Sequence, residues 1–137
     1  MDAALKPFFR QKYLLSKTER YFYKILRDIV SPNHVVPKVR LADLVDADKR
    51  HHLWLQNFRR ICSKQIDFVV CDAALSPLIA VELDDSSHQR LDRRARDRDV
   101  DRIFEIASLP ILHVPVQNEY SAREIEQQLL TKLHPNC

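Results

Sequence analysis

Three carboxylates fall near one end of two short apolar runs. Asp67 lies in Ile-Asp-Phe-Val-Val-Cys-Asp (residues 66–72), and Glu82 and Asp84 lie in Leu-Ile-Ala-Val-Glu-Leu-Asp (residues 78–84). Carboxylates gathered in apolar surroundings repel one another unless they are protonated, solvated or bridged by a cation. A hard divalent ion removes the conflict. Mg²⁺, or Mn²⁺ in its place, suits best, because it accepts a few carboxylate oxygens and keeps water positions, one of which can supply the nucleophile for a phosphodiester. The plain alternative is that Asp67 opens one strand and Asp84-Asp85 closes another, each solvated at a sheet end.

The elements that must position these acids are two strands. Alternation puts Glu82 and Asp84 on one face of theirs and Asp67 with Val69 and Cys71 on the other's. A hairpin that pairs Asp67 with Glu82, Val69 with Ala80 and Cys71 with Leu78 makes those faces coincide and leaves residues 72–77 as the loop. Apolar residues occupy both parities of each run, the mark of central strands covered on both faces.

Around this hairpin the chain reads as helices and two more strands. Ser16 and Glu19 have capping-box spacing, and Phe22, Ile25, Leu26 and Ile29 recur at helical period, so a helix spans 17–30 until Ser31-Pro32-Asn33 breaks it. A strand follows over 34–41. Within 42–64, Leu53, Trp54, Phe58 and Ile61 fit one helical face. A long helix spans 89–107 with Leu91, Ala95, Val100, Ile103, Phe104 and Ala107 as its buried positions, and Ser108-Leu109-Pro110 ends it. A strand at 111–116 and a helix from the Ser121/Glu124 cap to about 133 complete an α/β chain with a single domain over 1–137, residues 1–15 being a basic and aromatic extension to a core at 16–133.

Composition removes several function classes. The 137 residues include no glycine, and without a Cβ-free backbone no Walker loop, dinucleotide fingerprint or nucleophile elbow can be built, so catalysis must come from side chains. Cys62, Cys71 and Cys137 have neither disulfide-framework nor zinc-site spacing, and Cys71 reads as a small core residue. With no span-length apolar run and no signal-peptide pattern, the expected location is the cytoplasm. The formal charge of +3 permits nucleic-acid binding. Its distribution says more, since residues 1–40 hold Lys6, Arg10, Lys12, Lys17, Arg20, Lys24, Arg27, Lys38 and Arg40 against Asp2, Glu19 and Asp28.

The stretches Ile66-Asp67-Phe68-Val69 and Val81-Glu82-Leu83-Asp84-Asp85-Ser86-Ser87-His88, preceded by Glu19-x-x-Phe22-Tyr23-x-x-Leu26-Arg27, resemble a bacterial family of uncharacterised domains related to very-short-patch-repair-like endonucleases. That group belongs to the PD-(D/E)XK, or restriction-endonuclease-like, superfamily. The resemblance covers residues 16–116, including Arg98-x-x-Asp101 and Leu109-Pro110-x-Leu112. It implies a restriction-endonuclease-like three-layer core, with a mixed sheet of about four strands flanked by helices. It implies also a metal held by Asp67, Glu82 and the backbone carbonyl of Leu83, with Glu19 approaching from the first helix and DNA as substrate.

The superfamily's lysine, two residues after the acid, is replaced by Asp84. An acid cannot stabilise a phosphorane by positive charge, so Asp84 is read as an auxiliary ligand or base, and the cationic duty falls to metal, His88, Lys64, Lys38 or Arg40. His88 is read as a proton handler or phosphate contact, or else as a surface histidine at a helix start. Glu19 is either the reciprocal half of the Ser16 cap or part of the site. Arg90, Arg94 and Arg98 form one helical stripe that could meet phosphates, while the alternating acids and bases of that helix otherwise read as a solvated face. His34, His51, His52, His113 and His134 read as incidental. The expected function is a metal-dependent nuclease acting on DNA. The alternatives are a nuclease fold retired to binding nucleic acid or a partner protein in a DNA-processing complex and, last, a metal-free carboxylate hydrolase such as a glycosidase.

Overall fold

The computed structural model describes residues 8–85 and 91–135, with the side chains of 91–97 excepted. The elements are α1 (Lys17–Val30), β1 (His34–Arg40), a 3₁₀ turn (Leu41–Asp43), α2 (Trp54–Cys62), β2 (Gln65–Cys71), β3 (Pro77–Asp84), α3 (Leu91–Ile106), β4 (Ile111–Pro115) and α4 (Ala122–Leu133). One mixed sheet runs β1-β2-β3-β4. Its first two pairings are antiparallel, and β3 runs parallel to β4. The parallel pair requires a crossover, which α3 supplies.

Each face of the sheet is covered, giving a three-layer α/β arrangement. On one side Phe22 and Leu26 of α1 and Ile125 and Leu129 of α4 pack against Phe68, Val70, Ile79, Val81, Leu112 and Val114. On the other, Leu41, Ile61 of α2 and Phe104 of α3 pack against Val69, Cys71 and Ala80. The two central strands therefore carry apolar side chains at both parities, as their sequences require. Leu15 is also buried in the first cluster and anchors the chain just before α1.

Several expected boundaries shift. The β2–β3 register holds at Val69 opposite Ala80, but an irregularity after Val70 sets Cys71 opposite Pro77 in place of Leu78. The turn is accordingly 72–76, closed by the Asp72 carboxylate, which accepts the amides of Ala74 and Ser76. Leu41 leaves the strand for the 3₁₀ turn and is fully buried there. Helix α2 is shorter than the segment that suggested it, with Ile61 buried and Leu53 and Phe58 still well exposed. In α3, Phe104 is buried and Val100 and Ile103 partly so, whereas Ala107 is exposed beyond the helix end. Leu91 and Ala95 belong to the side chains outside the described residues.

With no glycine in the chain, left-handed backbone falls to Lys38, Leu75 and Ser108, at φ 56°, 63° and 57°. Leu75 and Ser108 lie in turns, where such a conformation has a local use. Lys38 lies within β1, and the paired register of β1 and β2 skips it and Asp67. A side chain with a Cβ held there costs about 1–3 kcal/mol, and the position is opposite the first of the sequence-predicted acids.

The packing predicts a graded response to ring deletion. Phe22→Ala, which removes a fully buried ring meeting both Phe68 and Tyr120, is expected to cost about 3–5 kcal/mol of unfolding free energy. Phe58→Ala, from a ring that is 40% exposed, is expected to cost less than half as much in the same denaturant titration.

Candidate functional site

The β2–β3 ladder ends at Phe68 opposite Val81. One residue further, side chains replace backbone partners. The Asp67 amide donates to Glu82 Oε1 at 3.0 Å, and the Leu83 amide donates to Asp67 Oδ2 at 2.8 Å. Each acid thus closes an amide of the strand opposite, and the two strands part as a fork with a carboxylate on each arm. Both acids are partly buried. Within a strand the N–H and C=O of one residue face the same neighbour, so the Leu83 carbonyl opens toward the same gap as its amide.

The fork places like charges in a poorly solvated space. Burial, reinforced by the Asp67 charge, pushes the Glu82 carboxyl up to about 8. Asp67 is also raised, first by burial, then by Glu19 and Asp84, against the opposing pull of the Leu83 amide and Lys38. The two shifts have the same sign, and together they mean that the pair favours holding a proton.

Glu19 serves two purposes at once. Its Oε1 accepts the Ser16 amide at 2.7 Å while the Ser16 hydroxyl accepts the Glu19 amide, which is the capping box. Its Oε2 lies 3.2 Å from Lys38 Nζ. Burial would raise its pKa, but the Ser16 contacts and Lys38 outweigh this and lower it. The left-handed turn at Lys38 and the start of α1 therefore bring an ion pair beside Asp67. The cap and a place at the site are compatible.

On the other side of the fork stands a residue that the sequence reading dismissed. His113 of β4 is the parallel partner of Glu82. Its Nε2 meets Asp101 Oδ1 of α3 at 2.7 Å, and its Nδ1 lies 3.0 Å from Asp84 Oδ2. The second contact has ion-pair distance without hydrogen-bond direction, so Nδ1 is buried with no hydrogen-bond partner among the described residues. Burial opposes protonation of His113, yet Asp101 and Asp84 overcome it and raise its pKa. An imidazolium at this place puts positive charge beside the carboxylates, where the resemblance led one to expect lysine. Asp101 is exposed on α3, as a solvated face implies, but its partner comes from β4 and not from the local pairs of its own helix. The available signals were the Arg98-x-x-Asp101 spacing and the placement of His113 in an apolar strand, but only the sheet register joins them.

A pocket of about 360 Å³ opens here, lined by Glu82, His113, Lys64 and Val100 among others. Arg40 instead pairs with Asp43 at 2.7 Å on the exposed surface. Arg98 is exposed on α3. His88 and Arg90 lie outside the described residues, as does the Arg94 side chain. Among the described residues no three His, Cys, Asp or Glu side chains gather as a metal-holding group. The donor set that fits a cation is then two carboxylates, each with one oxygen engaged by an amide, and a backbone carbonyl.

Residues 11–133 match the model of a family described as a protein of unknown function (DUF2726). No curated protein and no solved structure matches the chain.

The raised acids fix the sign of a pH effect. A carboxyl raised by the fold to about 8, above the 4.5 of an unperturbed glutamate, binds a proton more readily in the folded state, so its contribution to stability is full below the lower value and lost as pH rises through the upper. Asp67 and His113, both raised, act in the same direction. In chelator, thermal stability is expected to fall between about pH 5 and about pH 8. Glu82→Gln, which keeps an oxygen for the Asp67 amide, is expected to flatten that slope and to melt higher than the unsubstituted protein at the alkaline end.

Proposed function

The chain belongs to the DUF2726 family of proteins of unknown function, and we propose that it is a divalent-metal-dependent nuclease that hydrolyses phosphodiester bonds in DNA. The observation that carries this reading is the reciprocal capping of the fork, in which Asp67 and Glu82 each close an amide of the opposite strand. An arrangement serving stability alone would not bury two acids, one of which raises the proton affinity of the other. A cation relieves that cost. The resemblance to restriction-endonuclease-like domains supports the same assignment for these two residues.

Asp67, Glu82 and the Leu83 carbonyl would hold the metal. When bound, it supplies a polarised water and neutralises charge gathering on the phosphate. Hydrolysis forms a bond from water oxygen to phosphorus, breaks the bond from phosphorus to the ester oxygen, and delivers a proton to that leaving oxygen. His113, whose protonated form Asp101 and Asp84 favour, offers the phosphate a cation from the β4 side. Lys64 lines the same pocket. Lys38, drawn to Glu19 beside Asp67, supplies positive charge from the β1 side. Asp84 acts here by orienting and charging His113, a different duty from the ligand or base that its sequence position suggested.

A second reading, a nuclease fold retired to binding, draws on the absence of a three-residue metal group among the described residues. It predicts calorimetric silence toward Mn²⁺ and no cleavage of any DNA.

The nuclease reading is tested with plasmid and oligonucleotide substrates in Mg²⁺ or Mn²⁺. Asp67→Asn and Glu82→Gln, checked by circular dichroism for an intact fold, are expected to lose on the order of a hundredfold or more in turnover, the scale of removing one transition-state stabiliser. Cleavage at the original rate in both variants would sink the proposal. His113→Gln is expected to lower kcat by about 10- to 100-fold with little change in KM, since it supports the reacting centre and not the ground-state grip on DNA.

A further inference from the structure

Just before α1 the chain leaves three aromatic rings in solvent. Phe8, Phe9 and Tyr13 are 80%, 71% and 76% exposed, although Leu15, two residues beyond Tyr13, is buried in the core. Exposed rings concentrated in one short segment mark a binding surface more often than an accident of folding. Tyr13 is held in place: the Arg20 guanidinium lies 4.0 Å over its ring and also donates to the Leu15 carbonyl at 3.2 Å.

The charge around these rings has one sign. Arg10, Lys12, Lys17 and Lys24 have no acidic partner among the described residues, and Glu19, the acid in the first turn of α1, is already engaged by Lys38 and Ser16. The location is equally specific. Ser16 and Glu19 begin α1 at the end of the sheet where the fork opens, Glu19 lying 3.2 Å from Lys38, the β1 residue opposite Asp67. Tyr21, 45% exposed, extends the aromatic surface toward Tyr120, 5.9 Å away, in the segment that follows β4.

We infer that residues 8–13, with Arg20 and Tyr21, form a stacking platform for single-stranded nucleic acid that leads the strand into the carboxylate fork. Flat rings interleaved with unpaired cations match a polymer that presents base faces and phosphates together. A duplex hides its base faces and offers such a surface only phosphates. An anionic membrane shares the basic and aromatic chemistry, but surface-bound segments of that kind are amphipathic helices. Residues 9–13 are in neither helix nor strand. The assignment of substrate class rests on the nuclease reading above, while binding by the platform does not.

The test measures binding and turnover separately. In chelator, where nothing is cleaved, fluorescence anisotropy follows a labelled oligothymidylate and a labelled duplex, and sedimentation follows phosphatidylglycerol vesicles. Phe9→Ala and Tyr13→Ala are each expected to weaken oligothymidylate binding by about 5- to 150-fold, the range for losing one stacked base, with duplex affinity changed less than twofold and melting temperature unmoved. Arg10→Ala with Lys12→Ala is expected to reduce the salt dependence of binding. Equal losses on duplex and single strand, no loss on either, or vesicle binding in place of oligothymidylate binding would overturn the platform.

Turnover in Mn²⁺ separates the two proposals. A protein that binds oligothymidylate through Phe9 and Tyr13 but cleaves nothing sinks the nuclease and keeps the platform. A protein whose Phe9→Ala and Tyr13→Ala forms cleave single strands with the original kcat/KM sinks the platform and keeps the nuclease.

Discussion

The exchange of side chain for backbone at the β2–β3 fork is the constraint on which the rest of the site depends. A ladder that continued past Phe68 and Val81 would pair the amide of Leu83 with a carbonyl of β2 and leave both carboxylates to find water. Instead each carboxylate takes an amide from the other strand. The backbone stays satisfied as the strands separate, which buried polar groups require. The same act immobilises two acids that repel each other, so the solution to the hydrogen-bond problem creates the electrostatic one.

The surrounding structure is arranged about that conflict. On the β1 side, the unusual conformation of Lys38 coincides with the break in register opposite Asp67 and places its ammonium against Glu19. On the β4 side, parallel pairing places His113 level with Glu82, and α3 contributes Asp101 to hold it. Basic groups thus flank the acids from both neighbouring strands without neutralising either one by direct contact. Neither flank could be built by the hairpin alone. The first needs α1 packed through Phe22 and Leu26, and the second needs the crossover that returns β4 beside β3.

Much of the scaffold was legible because it rests on local chemistry. The Ser16/Glu19 spacing specified the start of α1, since both halves of a capping box lie within one turn. Apolar residues at both parities of residues 66–71 and 78–81 required central strands, because a face left open would expose them. The hairpin register up to Val70 followed from keeping acids on one face and apolar residues packed. The end of that hairpin was less legible: how Cys71 slips to Pro77 depends on the Asp72-capped turn, and the extent of α2 depends on how Leu41 and Ile61 fill the space beneath the sheet.

By itself, then, the sequence determined the order of elements, the α/β layering and the proximity of Asp67 to Glu82, since each follows from periodicity or from contacts between near neighbours. Only the tertiary structure decided the partners of those acids. His113 looked incidental because its two acids come from elements separated from it by long stretches of chain. Asp84 gained His113 as a neighbour only when β4 lay beside it, and the contact of Glu19 with Lys38, beside its cap on Ser16, appeared only once β1 stood opposite. Periodicity reports which face a residue occupies; which charge it meets there is set by strand order and crossover, and those are properties of the whole fold.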